Sequence, residues 1–190
     1  MPIFYRGAGV GTYWHENDAR LTGFTPQWPG AGRGVTRILH HVARGSTVSP
    51  YVSLSRSYGI ARDYALAGPK LPTFSQPAFV YEIQVDSGDG YGAQLVDPVA
   101  EIARDLGPPD DPRSYHHDGD MKFLLGIVDS RGNEGHLNQS VQFPPPGQGT
   151  PRQPLLHIEL EAMVRALRDA DVLAFGTIAA AQVRRRIDVY

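Results

Sequence analysis

A mixed α+β fold, with a two-sheet β core and helices packed around it, is what the 190-residue sequence predicts. Three observations carry this. Short runs rich in β-branched and aromatic residues recur along the chain, at residues 3–5, 51–55, 78–85, 123–128, 172–175 and 183–189. Apolar residues at helical spacing mark the segments 35–44, 58–65, 97–106 and 155–168. Glycines (21) and prolines (16) supply shaped loops between them. Strands of this length suit a layered β core decorated by helices.

In order, Ile3-Phe4-Tyr5 forms a first strand that ends at Arg6-Gly7. The run Gly7-Ala8-Gly9-Val10-Gly11 is not a dinucleotide-binding fingerprint. Thr12 stands where its third glycine belongs, and no βαβ unit follows. Residues 17–34 read as an ordered loop pinned by Phe24 and Trp28. Val35, Ile38, Leu39 and Val42 predict a helix carrying His40 and His41. Adjacent histidines on a helix point about 100° apart and cannot chelate one metal by themselves. Tyr51, Val52 and Leu54 favour a strand, with Ser53 and Ser55 on the face opposite Val52 and Leu54. Ser57 is placed to cap the helix of Ile60, Ala61, Tyr64 and Ala65.

Further on, three prolines make residues 68–77 a loop, and residues 78–85 alternate as a strand. Residues 86–90 turn, and 107–120 form a polar loop whose His116-His117-Asp118 cluster reads as solvated. Residues 123–128 read as a buried strand and 141–154 as a loop. The helix at 155–168 is followed by a strand opening at Asp171, and Arg184-Arg185-Arg186 reads as the solvated edge of the last strand.

Composition bounds the function. The chain is long enough for one domain, residues 1–190, with a sizeable core. A formal net charge of -2 offers no global field for nucleic acid or an anionic membrane. The absence of cysteine excludes disulfides and thiolate metal sites, and no metal is expected. No apolar run reaches about 18 residues, so no membrane span is expected. The N-terminus enters a strand-like segment without a charged leader or apolar stretch. The expectation is a cytoplasmic protein, or one delivered by a route that needs no N-terminal signal peptide.

Three blocks line up in order: Tyr5-Arg6-Gly7, Ser53-Leu54-Ser55, and Asp169-Ala170-Asp171-Val172-Leu173-Ala174-Phe175-Gly176-Thr177-Ile178. This arrangement resembles the Arg–Ser–Glu, cholera-toxin-like class of mono-ADP-ribosyltransferases, with Asp in place of the final Glu. The resemblance implies that family's two-sheet core, NAD as substrate, and transfer of ADP-ribose to a protein or nucleic-acid acceptor by a toxin or effector. It implies that Arg6 holds an NAD phosphate beside Gly7, that Ser53 orients the acid and Ser55 shares its face, and that Asp171 is the acid. Phe74 falls where the family stacks an aromatic on nicotinamide; an ordinary loop anchor is the equal alternative.

The chemistry suits these residue types. Loss of nicotinamide makes the ribose carbon oxocarbenium-like, as in glycoside cleavage. A carboxylate stabilises that charge, and a guanidinium fork matches a pyrophosphate. Two other acids compete with Asp171. Glu159 and Glu161 spell Glu-x-Glu, but in a helical pattern that places Glu161 toward solvent. Glu134 is a weaker third. Asp171 is one methylene shorter than the family's acid, and Asp169 replaces the family's Glu or Gln, which leaves the acceptor open. Two further functions remain: an NAD glycohydrolase, with water as acceptor, and a catalytically inactive binding module of the same fold.

Overall fold

The structure, a computed structural model, describes residues 2–45, 48–85, 92–106 and 155–190. The expected turn at 86–90, the His116-His117 cluster, the strand at 123–128, Glu134 and the loops at 107–120 and 141–154 lie outside the described residues.

The strands are β1 (Ile3–Ala8), β2 (Tyr51–Ser55), β3 (Ala78–Gln84), β4 (Gln94–Val96), β5 (Asp171–Phe175) and β6 (Val183–Val189). The helices are α1 (Tyr13–Glu16), α2 (Ala19–Thr22), α3 (Val35–Arg44), α4 (Tyr58–Leu66), α5 (Pro98–Leu106) and α6 (Leu155–Arg168). The strands form one six-stranded sheet in the order β4-β5-β2-β1-β3-β6, with every pair antiparallel. This differs from the expected pair of sheets, and the reason lies at its centre. β1 pairs with β3 over its whole length, yet meets β2 only through Tyr5 and Ser55. One hydrogen-bonded sheet therefore has two three-stranded halves that part beyond a single seam.

Alternation assigns the faces. Val52 and Leu54 of β2 join Phe4, Phe24, Phe79, Tyr81 and Val172 in one core. On the other face, Tyr51 and Leu173 pack against Ile38 and Leu39 of α3, Ile102 of α5 and Ala162 of α6. Helix α4 lays Ala61 and Ala65 on Val80 of β3. Ser57 caps α4 through the Ile60 amide at 3.4 Å. The loop at 17–34 contains the short α2, and Phe24 is fully buried, exchanging backbone hydrogen bonds of 2.9 Å with Ile178. Among the described residues no helix is long and apolar enough to cross a membrane.

Gly7 sits where β1 touches α4. A Cβ there would run into the Ala61 carbonyl oxygen and lie 2.7 Å from the Ala65 amide nitrogen. Gly7, expected beside the bound phosphate, brings the β1 backbone against α4 and also lines the cleft described below. Gly7→Ala should destabilise the fold by about 1–3 kcal/mol, the usual cost of overpacking, read as a fall in the urea midpoint.

Candidate active site

The parting of β1 from β2 opens a cleft of about 790 Å³, walled by α3, α4 and the end of α6. Arg6, Gly7, Ser53, Ser55 and Asp171 all line it. That size is within the range of small-molecule and cofactor sites.

Arg6 fills the top of the seam. Where β1 no longer offers β2 a backbone amide, Arg6 Nη1 donates to the Ser53 carbonyl at 2.6 Å. Its guanidinium carbon lies 5.7 Å from the Phe24 ring centroid. Burial lowers the Arg6 pKa to about 10, partly offset by Asp171, so the group stays charged at neutral pH. Its Nε is buried and finds no hydrogen-bond partner among the described residues. An orphaned buried donor on a charged group is costly unless something else satisfies it.

Ser53 and Ser55 share a face of β2 but do different things. The Ser53 hydroxyl lies 2.6 Å from His41 Nε2, and His41 Nδ1 lies 2.6 Å from the Ser49 hydroxyl. The partner of Ser53 is thus a histidine, not the acid that it was expected to orient. Ser55 is buried and donates to the Asp169 carbonyl at 2.6 Å, gripping the turn that carries the acid. His41 lines the cleft and bonds Ser53, a role that the His40-His41 pair, read only for metal binding, does not announce. The signal was there: His41 is three residues after Ile38, on the buried stripe of α3.

Asp171 opens β5 directly opposite Ser55. Burial and then the nearby Asp169 charge push its carboxyl up to about 7, with Arg6 and the Val172 amide pulling the other way. The Asp169 carboxylate is held by Arg168 through Nε at 2.6 Å and Nη2 at 2.8 Å, and by the Tyr64 hydroxyl at 2.6 Å.

The other expected residues stand apart. Phe74 is 88% exposed, stacks on Tyr190 at 5.6 Å, and is not among the cleft residues. Glu161 is buried and pairs with Arg165 at 2.7 Å, where solvent exposure was expected. The helical pattern was right, but α6 turns this face toward α3, where Arg165 also donates to the Ala43 carbonyl at 3.2 Å. Glu159 lies within α6, and its side chain is outside the described residues.

His41 and Asp171 load the fold with opposite pH dependence. Burial, then Arg6, lowers the His41 pKa from 6.5 to about 4. The unfolded chain therefore binds the extra proton between those values, and stability falls as pH drops from 6.5 to 4. Asp171, raised from 3.8 to about 7, is protonated more readily when folded, so its contribution falls as pH rises through that window. In the wild type the two slopes oppose each other where they overlap. Asp171→Asn should uncover the histidine slope, a gain on the order of 3 kcal/mol from acid to neutral pH. Urea denaturation across that range reads it directly, and His41→Gln should show the reverse slope.

No known family's sequence model matches the chain, and no curated protein matches it. Among solved structures, a chain titled "CARDS toxin, nicked" is similar, with a TM-score of 0.45 and 18% identity over 97% of this chain. This chain spans 25% of that toxin chain's length. At that distance the likeness carries no functional argument.

Proposed function

We propose that this chain is an NAD-dependent mono-ADP-ribosyltransferase that cleaves the nicotinamide–ribose bond and passes ADP-ribose to a protein or nucleic-acid acceptor. The observation that supports it is the pairing, in one cleft, of a half-buried Arg6 whose Nε is buried and orphaned with an acid whose ionisation lies near neutrality. The donor set fits the dinucleotide. Arg6 supplies charge-assisted donors for a phosphate, and its remaining nitrogen is already fixed on Ser53. The ionised Asp171 accepts from a ribose hydroxyl and faces the positive charge that grows at the ribose carbon. The His41–Ser53–Ser49 chain locks the Ser53 hydroxyl in one orientation at the cleft floor. The two-halved sheet, joined only through Tyr5–Ser55, suits the two-sheet core that the resemblance implies.

A second reading, NAD glycohydrolase, is favoured by one feature. The Asp169 carboxylate is occupied by Arg168 and Tyr64, which leaves it less available to engage an acceptor. Incubating the protein with NAD labelled in the adenylate part, with and without whole-cell extract, separates the readings. Label on a macromolecule supports transfer. Free ADP-ribose alone supports the hydrolase. Intact NAD in both arms overturns both and leaves a binding module.

A further inference from the structure

The turn that carries Asp171 is strained and held from several sides. Ala170, between the two aspartates, has φ 48°, a left-handed conformation that costs a non-glycine residue roughly 1 kcal/mol or more. Such a conformation persists only where its surroundings fix it. Here the Asp169 amide bonds to the Arg165 carbonyl at 2.9 Å, and the Arg56 amide bonds to the Ala170 carbonyl at 2.9 Å. Ser55 takes the Asp169 carbonyl. The carboxylate of Asp169 is gripped bidentately by Arg168 at the end of α6 and by Tyr64 from α4, which forms the opposite wall of the cleft. Arg168 Nη2 also lies 3.3 Å from the Tyr64 hydroxyl. The side chains of Tyr64, Arg168 and Asp169 thus form a hydrogen-bonded bridge from α4 to the root of β5.

We propose that Tyr64 and Arg168 are positioning residues: they clamp Asp169 across the cleft and thereby set both the aim and the ionisation of Asp171. The inference rests on reading Asp171 as the acid. The groups around Asp171 give the clamp an electrostatic role. Arg6 faces it from β1, Arg56 from beyond β2 with Asp97, just before α5, beside it at 3.7 Å, and Asp169 from its own turn. Asp169 is the like charge that raises Asp171, and Arg168 is the cation bound to it. Removing Arg168 leaves that negative charge uncompensated, which makes Asp171 harder to ionise. Removing the Tyr64 hydroxyl keeps the charges but frees the bridge to swing, which loosens the aim of Asp171.

Two readouts test this on the full chain. The first is independent of catalysis: titration of carboxyl-labelled aspartates by carbon NMR in wild type, Arg168→Gln and Arg168→Lys. The Asp171 midpoint should rise by roughly 0.5–1 pH in Arg168→Gln, and Arg168→Lys should return most of it. The second is nicotinamide release by Tyr64→Phe, where kcat should fall about tenfold with KM little changed, as for a group that acts through alignment. Rescue by the lysine variant guards against a folding artefact in Arg168→Gln. An Asp171 midpoint that does not move in Arg168→Gln overturns the clamp even if the protein proves to have no activity on NAD. Wild-type kcat in Tyr64→Phe overturns its aligning half.

Discussion

Asp171→Asn is expected to lower nicotinamide release by about 10²–10³-fold, the scale for removing one preorganised electrostatic group. NAD affinity should change little, because the charge that Asp171 meets develops only in the transition state. The structure adds a pH dependence. Burial and Asp169 hold the Asp171 carboxyl at about 7, and the reaction needs its ionised form. In the wild type kcat/KM should rise with pH and level off above that value, since it reports the free enzyme. Asp171→Glu should keep activity, or raise it, if the cleft accepts the longer reach. Glu161→Gln should act on stability rather than chemistry, because Glu161 is a buried partner of Arg165.

Arg6→Ala should have the second large effect, and on two observables. The guanidinium bridges the seam between the sheet halves, so its loss leaves the Ser53 carbonyl without that donor and a gap beneath Phe24. Stability should fall by about 1–3 kcal/mol, the cost of a buried group left unsatisfied. NAD binding should weaken by roughly 1.5–3 kcal/mol, typical of a lost hydrogen bond to a charged group. Arg6→Lys should recover part of each, since an ammonium supplies the charge without the planar fork. Calorimetry with NAD and urea unfolding of the same variants separate the two effects.

Much of this cleft was legible from residue pattern. The serine strand reads as Tyr51–Ser55 and its capped helix as Tyr58–Leu66 because alternation, Ser57 and apolar spacing agree locally. Arg6, Ser53 and Asp171 fall in one cleft because Arg6 and Ser53 lie within β1 and β2 and Asp171 opens β5 beside the seam; β1 runs on to Ala8, past the end expected at Arg6-Gly7. What escaped the sequence depends on long-range pairing. The three-residue β4 is too short to show a period, and exists because β5 offers it a ladder. The merging of two expected sheets into one turns on the single Tyr5–Ser55 pair. Glu161 was assigned to solvent since a local pattern cannot show that α3 and α5 pack along α6. Ser55 and Ser53 are equivalent in sequence; only the tertiary fold sends one to Asp169 and the other to His41.

On the function proposed above, half-buried Arg6 holds a phosphate of NAD in this cleft. Arginine side-chain nitrogen spectra, followed as NAD is added, test it most directly, because the Arg6 Nε–H has no partner among the described residues. A phosphate held by Arg6 should give a saturable shift of that resonance with NAD and with ADP-ribose, and none with nicotinamide alone. NAD binding that perturbs other residues while the Arg6 Nε–H stays still would contradict it.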